Sequence, residues 1–100
     1  MASGEDSIKR KCVKYLKKIQ MQERLWFYCP SDKFYSGIPD ILLCFRSKFY
    51  WTELKTANGT VSPIQAWTHS EICLAGGFGM ICRSFDEFKD FIEMLLKKED

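Results

Sequence analysis

Ile8, Cys12, Tyr15, Leu16 and Ile19 return at three- and four-residue steps, which predicts a helix from about Glu5 to Gln20 with one apolar stripe. Lysines fill the rest of its surface. Leu25-Trp26-Phe27-Tyr28-Cys29 is continuous, rich in aromatics and stopped by Pro30, and so reads as a short buried strand. Ser31 to Gly37 follows as a polar loop that carries Phe34 and Tyr35. Asp40 to Phe45 and Phe49 to Leu54 are both rich in strand-forming residues, and only Arg46-Ser47-Lys48 lies between them. They should pair as an antiparallel hairpin.

Folding the chain about Ser47 brings Asp40 opposite Glu53 or its neighbours. Period-two alternation puts Glu53 and Lys55 on one face of their strand and turns Leu54 the other way. After the Asn58-Gly59 turn signal, Ser62-Pro63-Ile64-Gln65 supplies a capping serine, a proline at the first helical position and a capping-box glutamine. That helix should end at Gly76-Gly77. Phe78 to Arg83 reads as a fourth strand. Ser84-Phe85-Asp86-Glu87 opens a last helix whose buried stripe is Phe85, Phe88, Phe91, Ile92 and Leu95. The order is αβββαβα, a mixed four-stranded sheet flanked by helices in a single α/β domain over residues 1–100.

Composition narrows the class. Hydrophobic content of 46% with 28% charged residues excludes a disordered chain, and no apolar stretch approaches a membrane span. The first residues are polar and acidic, unlike a secretory leader, so a cytoplasmic location is expected, or a nuclear one in a nucleated host. Five cysteines without a Cys-x-x-Cys pair read as buried reduced thiols. His69 and Cys73 are one helical turn apart but lack a second ligand pair, so structural zinc is not expected. Trp26, Trp51 and Trp67 are expected in the core.

Net charge is only +2, but basic residues concentrate before residue 56 and acids dominate after it. Lys9, Arg10, Lys11, Lys14, Lys17 and Lys18 run along the first helix without an intervening acid. Such a run is often no more than a solvated face. Asp40 and Glu53 change its meaning, because two carboxylates meeting at one sheet edge repel each other unless a hard divalent cation joins them. Magnesium suits such a site, and Lys55 stands on the same face as Glu53, close to where phosphate charge would develop.

These residues, Ser36-Gly37-Ile38-Pro39-Asp40, Trp51-Thr52-Glu53-Leu54-Lys55-Thr56 and Gly59-Thr60-Val61-Ser62-Pro63-Ile64-Gln65, resemble the PD-(D/E)xK nucleases. Within them they are similar to the virus-type replication-repair nuclease (VRR-NUC) group, over roughly residues 5 to 85. The resemblance implies a restriction-endonuclease-like core and Mg2+ or Mn2+ held by Asp40, Glu53 and the backbone carbonyl of Leu54. It also implies a catalytic Lys55, an active-site Gln65, and Glu5 as a helix-one acid near the metal. Gln65 and Glu5 also have ordinary explanations, as a capping-box residue and as an acid at a helix start. His69 shares the face of Gln65 and could reach substrate, or could simply pack.

A phosphodiesterase site gives the basic helix a use, since cations on backbone phosphates supply sequence-independent affinity. Lys9, Arg10, Lys14 and Lys17, with Lys33 and Ser36 in the loop before the motif, are the expected DNA contacts. Phe34 and Tyr35 could stack on a base or pack. No sequence-reading module is evident, so recognition of DNA shape is expected. The resemblance further implies a homodimer with two symmetry-related sites, suited to a four-way (Holliday) junction. Flaps, forks or DNA ends are the alternative substrates. Two alternatives lie outside catalysis: a silent DNA-binding domain of the same fold, and an interaction protein docking through the acidic last helix. No organic cofactor and no membrane is expected.

Overall fold

The computed structural model describes residues 4–31 and 35–97. Lys33 and Phe34, two of the loop residues singled out above, lie outside the described residues.

The elements follow the expected order: α1 (Gly4–Glu23), β1 (Trp26–Tyr28), β2 (Ile41–Phe45), β3 (Lys48–Leu54), α2 (Pro63–Leu74), β4 (Phe78–Cys82) and α3 (Phe85–Lys97). The sheet runs β1-β2-β3-β4, with the first two pairings antiparallel and β3–β4 parallel. A parallel neighbour cannot be reached by a tight turn, and α2 provides the crossover. Between β2 and β3 the turn is two residues, Arg46 and Ser47, at φ 52° and 67°. Left-handed geometry at both positions matches the right-handed twist of a hairpin, although it costs non-glycine residues on the order of 1–2 kcal/mol each.

The two faces of the sheet have different jobs. On one, Ile41, Leu43 and Phe45 of β2 join Tyr50 and Leu54 of β3 and Cys82 of β4. Cys12 and Leu16 of α1 and Phe88, Phe91, Ile92 and Leu95 of α3 close this core. Full burial of each large apolar side chain contributes about 1.5–3 kcal/mol, so this layer carries most of the fold's stability. On the other face lies α2, whose buried residues are Thr68 and His69, both polar.

Two of the three tryptophans depart from expectation. Trp51 is buried at 4% exposure, but Trp26 is 56% and Trp67 61% exposed. Register explains Trp26: it pairs with Cys44 on the α2 face, and α2 packs against β4 at the far side of the sheet. Trp67 points away from the sheet altogether. The same asymmetry divides the thiols, with Cys12 and Cys82 buried, Cys29 half-buried, and Cys44 and Cys73 exposed. None is in a disulfide. No helix among the described residues is long and apolar enough to cross a membrane.

Candidate active site

Asp40 stands one residue before β2 begins, and Ile41 pairs with Thr52, so Asp40 falls beside Glu53 at the end of β3. The backbone amide of Leu54 donates to Asp40 Oδ2 at 2.7 Å. This bond belongs to the antiparallel alternation: the even-numbered residues of β3 turn both backbone groups toward β2, which ends at Ile41. The Leu54 carbonyl therefore faces the same side as Asp40.

A glycine and a proline shape the approach. Gly37 has φ +81°, and a side chain there would bring a Cβ within 2.7 Å of the Ile64 carbonyl oxygen. Only glycine lets this loop pass against the first turn of α2. Pro39 is fully buried and fixes the backbone immediately before the acid.

Glu53 is 2% exposed. Burial, then a hydrogen bond with Asp40, then the charge of Asp40 push its carboxyl up to about 9 against an ordinary value of 4.5, while Lys55 pulls the other way. Glu5 at the start of α1 also raises it, which locates that acid near the site. Thr56 lies against the same helix start, since a Cβ on Gly4 would touch its methyl group at 2.8 Å. Lys55 is half-buried, and its charge reaches both Glu53 and His69.

Helix α2 covers Glu53 from two successive turns. Gln65 closes the capping box expected from the sequence: the Ser62 hydroxyl accepts from the Gln65 amide, and Gln65 Oε1 accepts from the Ser62 amide at 2.9 Å. Its other side-chain atom, Nε2, donates to Glu53 Oε2 at 3.4 Å. The capping and active-site readings of Gln65 are therefore compatible. His69 Nε2 lies 3.0 Å from Glu53 Oε1, and its ring stacks on Trp51 with centroids 4.0 Å apart. Burial, then the Lys55 charge, lower the His69 pKa and favour the neutral imidazole.

Some of this was invisible to spacing rules. Gly79 lies beneath Trp51, where an added Cβ would sit 2.0 Å from two indole carbons. Arg83 Nη1 donates to the carbonyls of Thr56 and Gly59, at 2.9 and 2.6 Å, and so pins the turn after Lys55. Neither residue carries a sequence signal beyond a glycine in a strand and a lone arginine.

The donor set suits a hard divalent cation. Among the described residues no group of three or more histidine, cysteine or acidic side chains is placed to hold a metal ion by side chains alone. Two apposed carboxylates and a carbonyl are what magnesium uses when water and substrate complete its shell.

The basic residues of α1 lie beyond this site. Asp6, Lys9, Arg10, Val13, Lys14 and Lys17 line an open groove of about 510 Å³. On the other flank of the helix, Lys11, Lys14 and Lys18 line a second groove with Lys89 of α3, a cation the sequence did not single out. Ser36 and Tyr35 are exposed in the loop before Gly37.

No protein-family model matches the chain, and no curated protein matches it. A solved structure described as a VRR_NUC domain superposes at a TM-score of 0.74, covering 92% of this chain and 97% of that one at 21% sequence identity. The fold is therefore the restriction-endonuclease-like α/β fold of a VRR-NUC domain.

Proposed function

We propose that the chain is a metal-dependent, structure-selective DNA endonuclease. The observation that carries this reading is the meeting of Asp40 and Glu53 at one sheet edge beside Lys55, on a fold shared with a VRR_NUC domain. Asp40, Glu53 and the Leu54 carbonyl would hold Mg2+ or Mn2+, with Glu5 nearby. Such an ion, when bound, polarises a phosphoryl oxygen and makes a water more acidic.

The chain's own groups do the rest. Lys55 places a positive charge where the phosphodiester gains negative charge in the transition state. Gln65 orients Glu53 while capping its helix. Lys9, Arg10, Lys14 and Lys17, with Lys33 and Ser36, bind phosphates and fix the duplex without reading bases. This surface selects shape, and branched DNA is the favoured substrate, the four-way junction first. A two-fold homodimer would present two such sites to a junction. In support, Trp26 and Tyr28 stack in the open on β1, beside Leu42 and Cys44, on a sheet face where these four side chains carry no charge.

The test is cleavage of junction, flap, single-stranded and duplex DNA with Mg2+ or Mn2+, run beside Lys55→Ala. Junction cutting that Lys55→Ala abolishes with DNA binding intact supports the proposal. Intact DNA in every lane despite normal binding overturns it and favours a silent DNA-binding domain.

A further inference from the structure

Helix α2 grips Glu53 with two side chains four residues apart, and we infer that His69 is a positioning residue. Its imidazole donates from Nε2 to Glu53 Oε1 and so would hold that carboxylate ready for an ion bound together with Asp40. This rests on the nuclease reading above and adds to it a residue outside the Asp-Glu-Lys set.

The ring has little freedom. Its plane lies 17° from the Trp51 indole at 4.0 Å, and the indole rests on the backbone of Gly79, where even a methyl group would collide. Trp51 and His69 are both buried, at 4% and 7% exposure. The stack holds the imidazole in its plane, and within that plane the ring presents Nε2 to Glu53 Oε1, 3.0 Å away. The second oxygen is served in the same manner. Because Gln65 Oε1 is engaged by the Ser62 amide, Gln65 can offer only its nitrogen to Glu53 Oε2.

The chemistry of a metal-ligating carboxylate sets what these partners must do. An ionised carboxylate only accepts hydrogen bonds, so each partner has to donate. Gln65 does so by its amide orientation, and His69 does so as the Nε2–H tautomer. Each oxygen keeps another lone pair for an ion. A helix placed for stability alone would bury apolar side chains against the sheet, whereas α2 buries Thr68 and His69. Outer partners of this kind fix ligand orientation, and their loss costs about 10- to 100-fold in metal affinity.

His69 is the one histidine of the chain, so its ring nitrogens are assigned without ambiguity in long-range proton–nitrogen NMR spectra. The full chain is titrated with Mn2+ by calorimetry as wild type, His69→Leu and His69→Gln. The expected result is the Nε2–H tautomer in the wild type loaded with diamagnetic Mg2+, Mn2+ binding about 10- to 100-fold weaker in His69→Leu, and substantial recovery in His69→Gln, whose amide can donate to the same oxygen. The KM for DNA should be unchanged while kcat falls. Wild-type affinity in His69→Leu, or an Nδ1–H tautomer in the loaded protein, overturns the inference and leaves the nuclease reading standing. The spectrum needs no variant and decides the matter even if both substitutions unfold the chain. A wild type that binds neither Mg2+ nor Mn2+ overturns both readings.

Discussion

The amide of Leu54 donates to the carboxylate of Asp40 at 2.7 Å, across fourteen residues of sequence and the width of a hairpin. This bond makes Asp40 part of the sheet's backbone network as well as a candidate ligand, and the two roles separate by substitution. Asp40→Asn retains an acceptor for the amide and should keep the stability of the parent. Asp40→Ala leaves the amide unpaired and should lose about 1–3 kcal/mol in urea unfolding. Both should lose divalent-ion binding by calorimetry. Retained binding in Asp40→Asn would remove Asp40 from the ligand set.

In metal-free protein, Glu53 keeps its proton to about pH 9, whereas in the unfolded chain it ionises near 4.5. Between these values the folded state holds one more proton than the unfolded state, so stability should fall as pH rises. The full contribution is present below about pH 4.5 and is lost through pH 9. The slope should be on the order of 1 kcal/mol per pH unit. Glu53→Gln should flatten it, and saturating Mg2+ should do the same by replacing the proton. Unfolding curves between pH 5 and 9 check the sign. A rise in stability over this range, absent from Glu53→Gln, would place the carboxyl in the wrong state.

Gly37 combines a left-handed backbone with a 2.7 Å approach to the Ile64 carbonyl, which is backbone and cannot rotate aside. Gly37→Ala should therefore push the loop off α2 and shift Asp40, with a loss of about 1–3 kcal/mol. Activity should fall more than folding does. Denaturation midpoints measured beside cleavage rates will show whether the two losses separate.

If the α1 groove carries DNA, removing Lys9 and Lys17 together, which line that groove and not the one beside Lys89, should weaken junction and duplex binding alike. The slope of log affinity against log salt should shrink by about 0.9 for each phosphate that the protein no longer neutralises. Fluorescence anisotropy over a salt series measures it. An unchanged slope would place the DNA elsewhere, with the groove lined by Lys18 and Lys89 the next surface to test.

Much of this architecture is written in short-range pattern. Three- and four-residue periodicity located α1 and α3, the spacing about Ser47 brought Asp40 to Glu53, and Ser62 to Gln65 announced the start of α2, because each rests on contacts within a turn or across a tight hairpin. What covers each sheet face is not local, and there the sequence was silent. It could not tell that α2 would leave β1 open and Trp26 exposed, that Trp67 would point to solvent, or that Trp51 would lie on Gly79 and steady His69 against Glu53. Those relationships join strands and a helix whose mutual placement is fixed by the whole fold. Local order thus decided which residues form the candidate site, and tertiary packing decided which groups hold them in place.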